Sequence, residues 1–367
     1  MLIPSVNLKP QIEATAPCWR GRLNELFEKM HFILGPQLSG FEEEFARALG
    51  ARFAAGVGTG TAAIELCLRA AGITSPGQEV ITSALTAPFT GVGIAAAGCR
   101  LRLADVSPDT LLLDAADVGN RATRRTAAIV PVHLYGQPCD LARFKSVART
   151  VKATLIQDAC QAHGAKHQGK PFTSYSPYVC YSFYPTKNLA CLGDGGAILT
   201  NQAGIAKRFR MLRDGGRKGA QISFVAGINS RLDEMQCCYL RAFLPRLPEW
   251  NADRARTAAL YDEMLAGCAG VSRVKTSQES VHHLYVIRAE RRDRLREFLA
   301  KGGIGTGVHY PAPLHLMPAF RDCGLRRGDL PHAEKACREI VSLPLWPYLP
   351  EQAARRVAET VRAFYEK

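Results

Sequence analysis

Apolar positions along the first two-thirds of the chain alternate between two spacings. FEEEFARALG (41–50), TAAIELCLRAAGI (61–73), TGVGIAAAG (90–98) and LARFKSVART (141–150) repeat small or apolar residues three and four apart, the period of a helix with one buried face. The first is expected to end at Gly50, where glycine tolerates the chain reversal. Between these stretches lie short apolar runs: FAAGVGTG (53–60), EVITSAL (79–85), CRLRLADV (99–106), TAAIVPVHLYG (126–136) and ATLIQDAC (153–160). Strands that are apolar on both faces and alternate with helices predict a mainly parallel sheet covered by helices. YVCYSF (178–183) and GAILTN (196–201) are expected to extend it.

The pattern changes near residue 240. CYLRAFLPRLPEWNADRARTAALYDEML (238–265) predicts a long connecting helix, broken near Pro245 and Pro248 because proline lacks the amide hydrogen that a helix needs. One strand, HHLYVIRA (282–289), and two helices, DRLREFLAKGG (293–303) and PHAEKACREIV (331–341), follow. The expected fold class is α/β, with a large unit over 1–245 and a smaller α+β unit over 246–367.

Composition narrows the class. Of 367 residues, 47% are apolar and 22% charged, as in a globular protein. No apolar run reaches the roughly 18 residues of a membrane helix, and MLIPSVNLKPQIEATAPCWR lacks the apolar stretch of a signal peptide. Lys and Arg exceed Asp and Glu by 14. The excess is scattered, densest at 121–125, 213–219 and 288–296, with no nucleic-acid module beside it. A general positive field suits an anionic small molecule better. None of the 12 cysteines forms a C-x-x-C pair, which argues against a zinc site or a disulfide framework and predicts reduced thiols in the cytoplasm.

Two residues suggest the chemistry. Lys187, in SFYPTKNLACLGDGG (182–196), follows a strand and precedes a glycine-rich stretch. Asp158 follows the apolar run ATLI, which predicts it at the carboxyl end of a buried strand, where open parallel sheets bind ligands. Alone, the first reads as a surface lysine and the second as a helix cap. Together, 29 residues apart, they can face one crevice. Pyridoxal phosphate (PLP) needs such a pair: a lysine to hold the cofactor and shuttle protons, and a carboxylate to keep the pyridine nitrogen protonated. A desolvated, cationic pocket would keep that lysine neutral and nucleophilic. GVGTGTAAIELCL (56–68) sets glycines and threonines before a helix, whose first amides and dipole favour a phosphate. Gly60 and Thr61 are the candidate donors, and Ser182 is close enough in sequence to Lys187 to join them. The glycine spacing does not match G-x-G-x-x-G, which disfavours a nicotinamide loop.

These blocks, with ILGPQLSGFEEEFARALG, PVHLYGQPCDL, GINSRLDEMQCCYLRAFLPRLPEWN, GIGTGVHYPAPLH and SLPLWP, resemble the DegT-type nucleotide-sugar aminotransferases over nearly the whole chain. The resemblance implies a fold type I PLP enzyme. It implies that Lys187 is the Schiff-base lysine, Asp158 the pyridine-nitrogen partner and Gln161 a neighbour of the ring hydroxyl. Gly60, Thr61 and Ser182 would hold the phosphate. Asn229, in GINSR, would reach the phosphate from a neighbouring subunit, which implies a homodimer with shared sites. Tyr184, His309 and Tyr310 resemble the substrate-facing set of the branch acting on dTDP-3-keto-6-deoxyhexoses. His309 also reads as a structural histidine at a strand end. Lys218 reads equally as a pyrophosphate contact or a solvated loop lysine. Three positions depart from the family pattern: Ala87 replaces an aromatic, which leaves Phe89 as the candidate to stack on the ring; Gln157 replaces a glutamate; and Cys237-Cys238 replaces an alanine pair. The expected reaction carries an amino group from glutamate or glutamine to a keto-sugar nucleotide. Alternatives are a sugar dehydratase of the same family, which has histidine at the lysine position, a PLP-binding regulatory protein without turnover, and a nicotinamide oxidoreductase.

Overall fold

The computed structural model describes residues 2–219 and 222–366. The apolar runs form β1 (Phe53–Val57), β2 (Glu79–Ser83), β3 (Arg100–Ala104), β4 (Thr126–Val130), β5 (Thr154–Leu155), β6 (Gln157–Asp158), β7 (Val179–Ser182) and β8 (Gly196–Thr200). They lie in two ladders, β3-β2-β4-β5 and β1-β8-β7-β6. The ladders are continuous, because β5 runs almost directly into β6 and a parallel bridge ties Val132 to Asp158. The pairings are parallel except those of β8, which runs antiparallel to both β1 and β7. The mainly parallel sheet is therefore present, with GAILTN joining it in the opposite direction.

Helices cover both faces, as two-sided apolar strands require. On one face helix Gly60–Ala70 lies over β7 and β8 and helix Pro88–Ala96 over β2 and β3, with Ile64, Leu66, Leu68 and Ile94 buried in one cluster with the strands. The other buries Phe41 and Phe45 of helix Pro36–Ala48 with Tyr181 and Phe183, ring centroids 5.3 Å apart along the group. Cys237 and Cys238 are also fully buried.

Two long-range ion contacts steady the end of the sheet that carries the phosphate-loop candidate. The Glu234 carboxylate accepts hydrogen bonds from the amides of Gly35, Gln37 and Leu38 at 2.7–2.9 Å, and so caps helix Pro36–Ala48 from a distant part of the chain. Glu42 pairs with Arg213 and accepts from the Gly56 amide at 2.9 Å, while Arg213 donates to the Gly56 carbonyl at 2.7 Å. Gly56 has no room for a side chain, since a Cβ there would lie 2.6 Å from Leu38.

The helix over Glu234–Phe243 breaks into a tight turn at Leu244–Arg246, as Pro245 dictates, and resumes over Leu247–Met264. Beyond it lies an antiparallel sheet, ordered β11-β10-β9, of β9 (Val271–Arg273), β10 (Tyr285–Ala289) and β11 (Ile340–Leu343). Only β10 is foreseen in the sequence. Val271–Arg273 is too short and too exposed to read as a strand. Ile340 and Val341, read there as a helix end, leave the helix at Glu339 because pairing with β10 outweighs helical continuation. A closing helix, Glu351–Tyr365, packs its apolar stripe on this sheet. Ile3 crosses to the same cluster and pairs with Ile304, which draws the N-terminal segment alongside. Among the described residues no helix is long and apolar enough to cross a membrane.

Candidate active site

A cavity of about 670 Å³ opens at the carboxyl ends of the parallel strands, between the large sheet and the segment preceding β10. Lys187 and Asp158 both line it. Asp158 ends β6 and is 4% exposed. No helix begins there, so it is not a cap; its oxygens are otherwise engaged. Oδ2 accepts from the Thr90 hydroxyl at 2.8 Å and Oδ1 from the Cys160 amide at 3.1 Å. Thr86 stands 3.1 Å behind Thr90. One donor per oxygen leaves lone pairs for a ligand.

Lys187 follows β7 on a turn, its amide donating to the Tyr184 carbonyl at 2.8 Å. Burial is the largest influence on its amine and pushes it below its ordinary value, against the opposing pull of Cys160 and Asp158. A neutral amine is a nucleophile and a proton carrier.

Gly60 and Thr61 open helix Gly60–Ala70, whose N-terminus Thr59 caps by accepting from the Ala62 amide at 3.0 Å. The close approach here requires glycine: a Cβ on Gly60 would lie 2.6 Å from Ser182 and 2.9 Å from the Cys160 sulfur. Gly60, Thr61 and Ser182 share the cavity wall, a helix-terminus cradle for an anion. On the opposite wall, Gln161 is fixed at both ends of its amide. Its oxygen accepts from the Tyr135 amide at 2.8 Å and its nitrogen donates to the Tyr310 hydroxyl at 3.1 Å. Tyr135 in turn donates its hydroxyl to the His309 carbonyl at 2.5 Å. His309 sits 2.8 Å from the Ser342 hydroxyl, and burial holds it near a pKa of about 4, so the ring is neutral.

The structure thus gathers Lys187, Asp158, Gly60, Thr61, Gln161, Ser182, Tyr184, His309 and Tyr310 in one cavity. Tyr184 is half exposed at the mouth. Phe89 reaches the rim but is 63% exposed, and Ala87 lines the wall without a ring. Two candidates lie elsewhere. Lys218 borders a separate hollow with Arg69 and Lys207, and Asn229 is an exposed residue bridged to Asp214. Neither belongs to the cavity of its own chain. Sequence reasoning missed Thr86, Thr90, Cys160 and His283, and the Ser5-Val6 segment that completes the mouth. Thr90 could have been found as a hydroxyl at the start of a helix beside a sheet edge; Ser5 and Val6 carry no local signal.

A lysine and a carboxylate facing one sheet-edge cavity, with a helix N-terminus between them, define a fold type I cofactor-dependent transferase site. Residues 19–362 match the DegT/DnrJ/EryC1/StrS aminotransferase family, and the chain belongs to it. It is 41% identical to a pleiotropic regulatory protein of Geobacillus stearothermophilus, over 100% of this chain and 99% of that one. It is 39% identical to the dTDP-3-amino-3,4,6-trideoxy-alpha-D-glucose transaminase of Streptomyces venezuelae, over 100% and 97%. The crystal structure of DesV from S. venezuelae, in complex with a ketimine intermediate, superposes with a TM-score of 0.97 at 38% identity, covering 100% of this chain and 99% of that one.

Proposed function

We propose that this protein is a PLP-dependent aminotransferase that carries an amino group from glutamate or glutamine to a keto-sugar nucleotide, a dTDP-3-keto-6-deoxyhexose being the favoured acceptor. The carrying observation is the shared cavity of Lys187 and Asp158, with the Thr90 hydroxyl and the Cys160 amide donating to the Asp158 carboxylate. When bound, PLP supplies an electron sink that stabilises negative charge at the carbon losing its proton. Lys187 holds the cofactor and then moves that proton, a task its burial-lowered basicity favours. The free lone pairs of Asp158 receive the ring nitrogen. Gly60, Thr61 and Ser182 hold the phosphate, and Gln161 meets the ring hydroxyl. Phe89, at the cavity rim, is the candidate to stack on the ring where Ala87 offers no aromatic face. Tyr184, His309 and Tyr310 orient the sugar, with His309 neutral and so suited to accept from or donate to a hydroxyl.

Asn229 and Lys218 serve the site of a second copy in a homodimer. The exposed apolar side chains of Phe27, Met30, Phe32, Ile33 and Leu34, all in one short segment, support such an interface. The division into 1–245, carrying the cofactor, and 246–367, closing over the substrate, fits a cavity lined from both parts. All 12 cysteines are free, which fits a cytoplasmic protein.

The relative named as a pleiotropic regulatory protein favours a second reading, PLP binding without turnover. One experiment separates the two. Borohydride reduction of the cofactor-loaded chain is expected to tag Lys187 in the peptide mass map, and glutamate or glutamine to convert the bound cofactor to its amine form. Mixing that form with a panel of 3-keto and 4-keto sugar nucleotides is expected to return the aldehyde form. Tagging without amine formation establishes the regulatory reading; failure with every sugar, while amino acids still react, removes the sugar acceptor.

A further inference from the structure

One buried tyrosine holds two parts of the cavity wall without lining the cavity itself. Tyr135 lies on the tight turn Leu134–Gly136 beyond β4, with its backbone at φ 61° and ψ 11°. That left-handed conformation is rare for a bulky residue and persists only where the surroundings enforce it. Here the segment before β10 does so. The Val281 amide donates to the Gly136 carbonyl at 3.0 Å, and the Leu284 amide to the Tyr135 carbonyl at 3.4 Å. Gly136 has no room for a side chain, since a Cβ there would lie 2.7 Å from the His283 amide nitrogen.

From this turn Tyr135 reaches in two directions. Its amide donates to Gln161 Oε1 at 2.8 Å. A backbone N–H can only donate, so the Gln161 amide cannot be turned over, and Nε2 is the atom that meets the Tyr310 hydroxyl at 3.1 Å. An amide nitrogen only donates, so the Tyr310 oxygen is the acceptor and its own hydrogen points elsewhere. Among the described residues nothing takes that hydrogen. Burial pushes the Tyr310 hydroxyl up from its ordinary value, so the hydrogen stays in place near neutrality. The Tyr135 hydroxyl donates to the His309 carbonyl at 2.5 Å, one residue before Tyr310. It too keeps its hydrogen, pushed well up first by burial and then by Tyr310 and Cys337. Tyr310, which lines the cavity, is thus held twice from one turn: its oxygen through Gln161 and its backbone through His309.

We propose that Tyr135 is a positioning residue for the sugar half of the reaction: by fixing Gln161 with its amide and the His309 carbonyl with its hydroxyl, it makes Tyr310 a hydrogen-bond donor to an oxygen of the incoming keto-sugar. This rests on the sugar-facing role given to Tyr310 above. No covalent bond forms or breaks at either tyrosine. The amino donor reacts and leaves before the sugar enters, so the two halves of the reaction depend on Tyr135 unequally.

The test compares wild type with Tyr135→Phe, which keeps the amide and the ring and deletes the hydroxyl, in single turnovers of the loaded enzyme. Glutamate or glutamine is expected to convert the cofactor to its amine form at a rate within about twofold of wild type. The keto-sugar nucleotide that returns the aldehyde form is expected to need an about five- to tenfold higher concentration for half-maximal rate, the loss of one hydrogen bond. In a Tyr310→Phe background the same deletion should change that concentration by less than about twofold, because the hydrogen it directs is already gone. A second readout needs neither cofactor nor turnover. In the cofactor-free chain with carbon-13-labelled tyrosine, the Tyr310 ring signal, assigned by its loss in Tyr310→Phe, is expected to shift in Tyr135→Phe, while tyrosines distant from the cavity hold their places. Should Tyr135→Phe not fold, 3-fluorotyrosine at position 135 keeps the hydroxyl as a stronger donor. It is expected to lower the sugar concentration for half-maximal rate about twofold and to leave the amino-donor half unchanged. Equal slowing of both halves, a full Tyr135→Phe effect in the Tyr310→Phe background, an unmoved Tyr310 signal, or an unmoved sugar constant with fluorotyrosine overturns the role. A panel in which no sugar reacts removes the sugar acceptor and this role with it, whereas a reacting sugar with an unchanged constant in Tyr135→Phe removes only this role.

Discussion

Thr90 gives its one hydroxyl hydrogen to Asp158 Oδ2, and Thr86 stands where it can supply the next hydrogen to Thr90. This short relay holds a 4%-exposed carboxylate in one rotamer and removes part of the cost of burying it. Thr90→Val keeps the shape and deletes the donor. The loss of one hydrogen bond to a charged group amounts to about 1.5–3 kcal/mol, so kcat/KM is expected to fall about 10- to 100-fold. Thr90→Ser, with the hydroxyl kept, should stay within a few-fold of wild type. Steady-state kinetics together with the absorbance of bound cofactor checks both variants. Equal loss in Val and Ser variants would assign Thr90 to packing instead.

At the scale of elements, the site depends on the sheet end that carries Gly56 to Gly60, and that end depends on a cap supplied from far along the chain. Glu234 satisfies three amides at the start of helix Pro36–Ala48. Glu234→Ala leaves those donors buried without partners and is expected to cost about 2–4 kcal/mol, read as a lower urea midpoint with an unchanged slope. Cofactor affinity should fall less than stability, since Glu42 and Arg213 still clamp Gly56. Which of these devices a linear reading reaches follows from their range. Lys187 and Asp158 are legible because each sits where an apolar run stops, and their chemical types match one cofactor. Glu234 reads only as a helical residue, because its partners lie 196–199 positions away. The direction of β8 is hidden because a two-sided apolar strand looks the same read either way. The strand at Ile340–Leu343 is hidden because an apolar run after a helical stretch carries no mark of where the helix stops, until β10 is there to pair with it. Asn188, hydrogen-bonded to Asn251 at 2.8 Å and to His283 at 3.1 Å, joins three segments that share no spacing rule.

For the whole molecule, charge poses a problem that one chain does not solve. The proposed acceptor carries a diphosphate. Yet the residues lining the cavity include a single lysine and no arginine, two aspartates, and two histidines that burial keeps neutral. The net charge of +14 therefore lies almost entirely outside the cavity. Lys218 and Asn229 do not line the cavity of their own chain, and the apolar side chains from Phe27 to Leu34 are left uncovered. A two-fold copy that covers the apolar segment and brings Lys218 and Asn229 to the other subunit's cavity would resolve both at once, because an isologous interface exchanges the same residues in both directions. Shared sites make a specific demand on mixtures. Lys187→Ala and Asn229→Ala homodimers should each be nearly inactive. Co-denatured and refolded together in equal amounts, they yield half heterodimers, in which one site has lost both residues and the other neither. Activity should then return to about a quarter of the wild-type value. Sites built within single chains would give no recovery at all, and sedimentation of the mixture at the mass of one chain would remove the dimer itself.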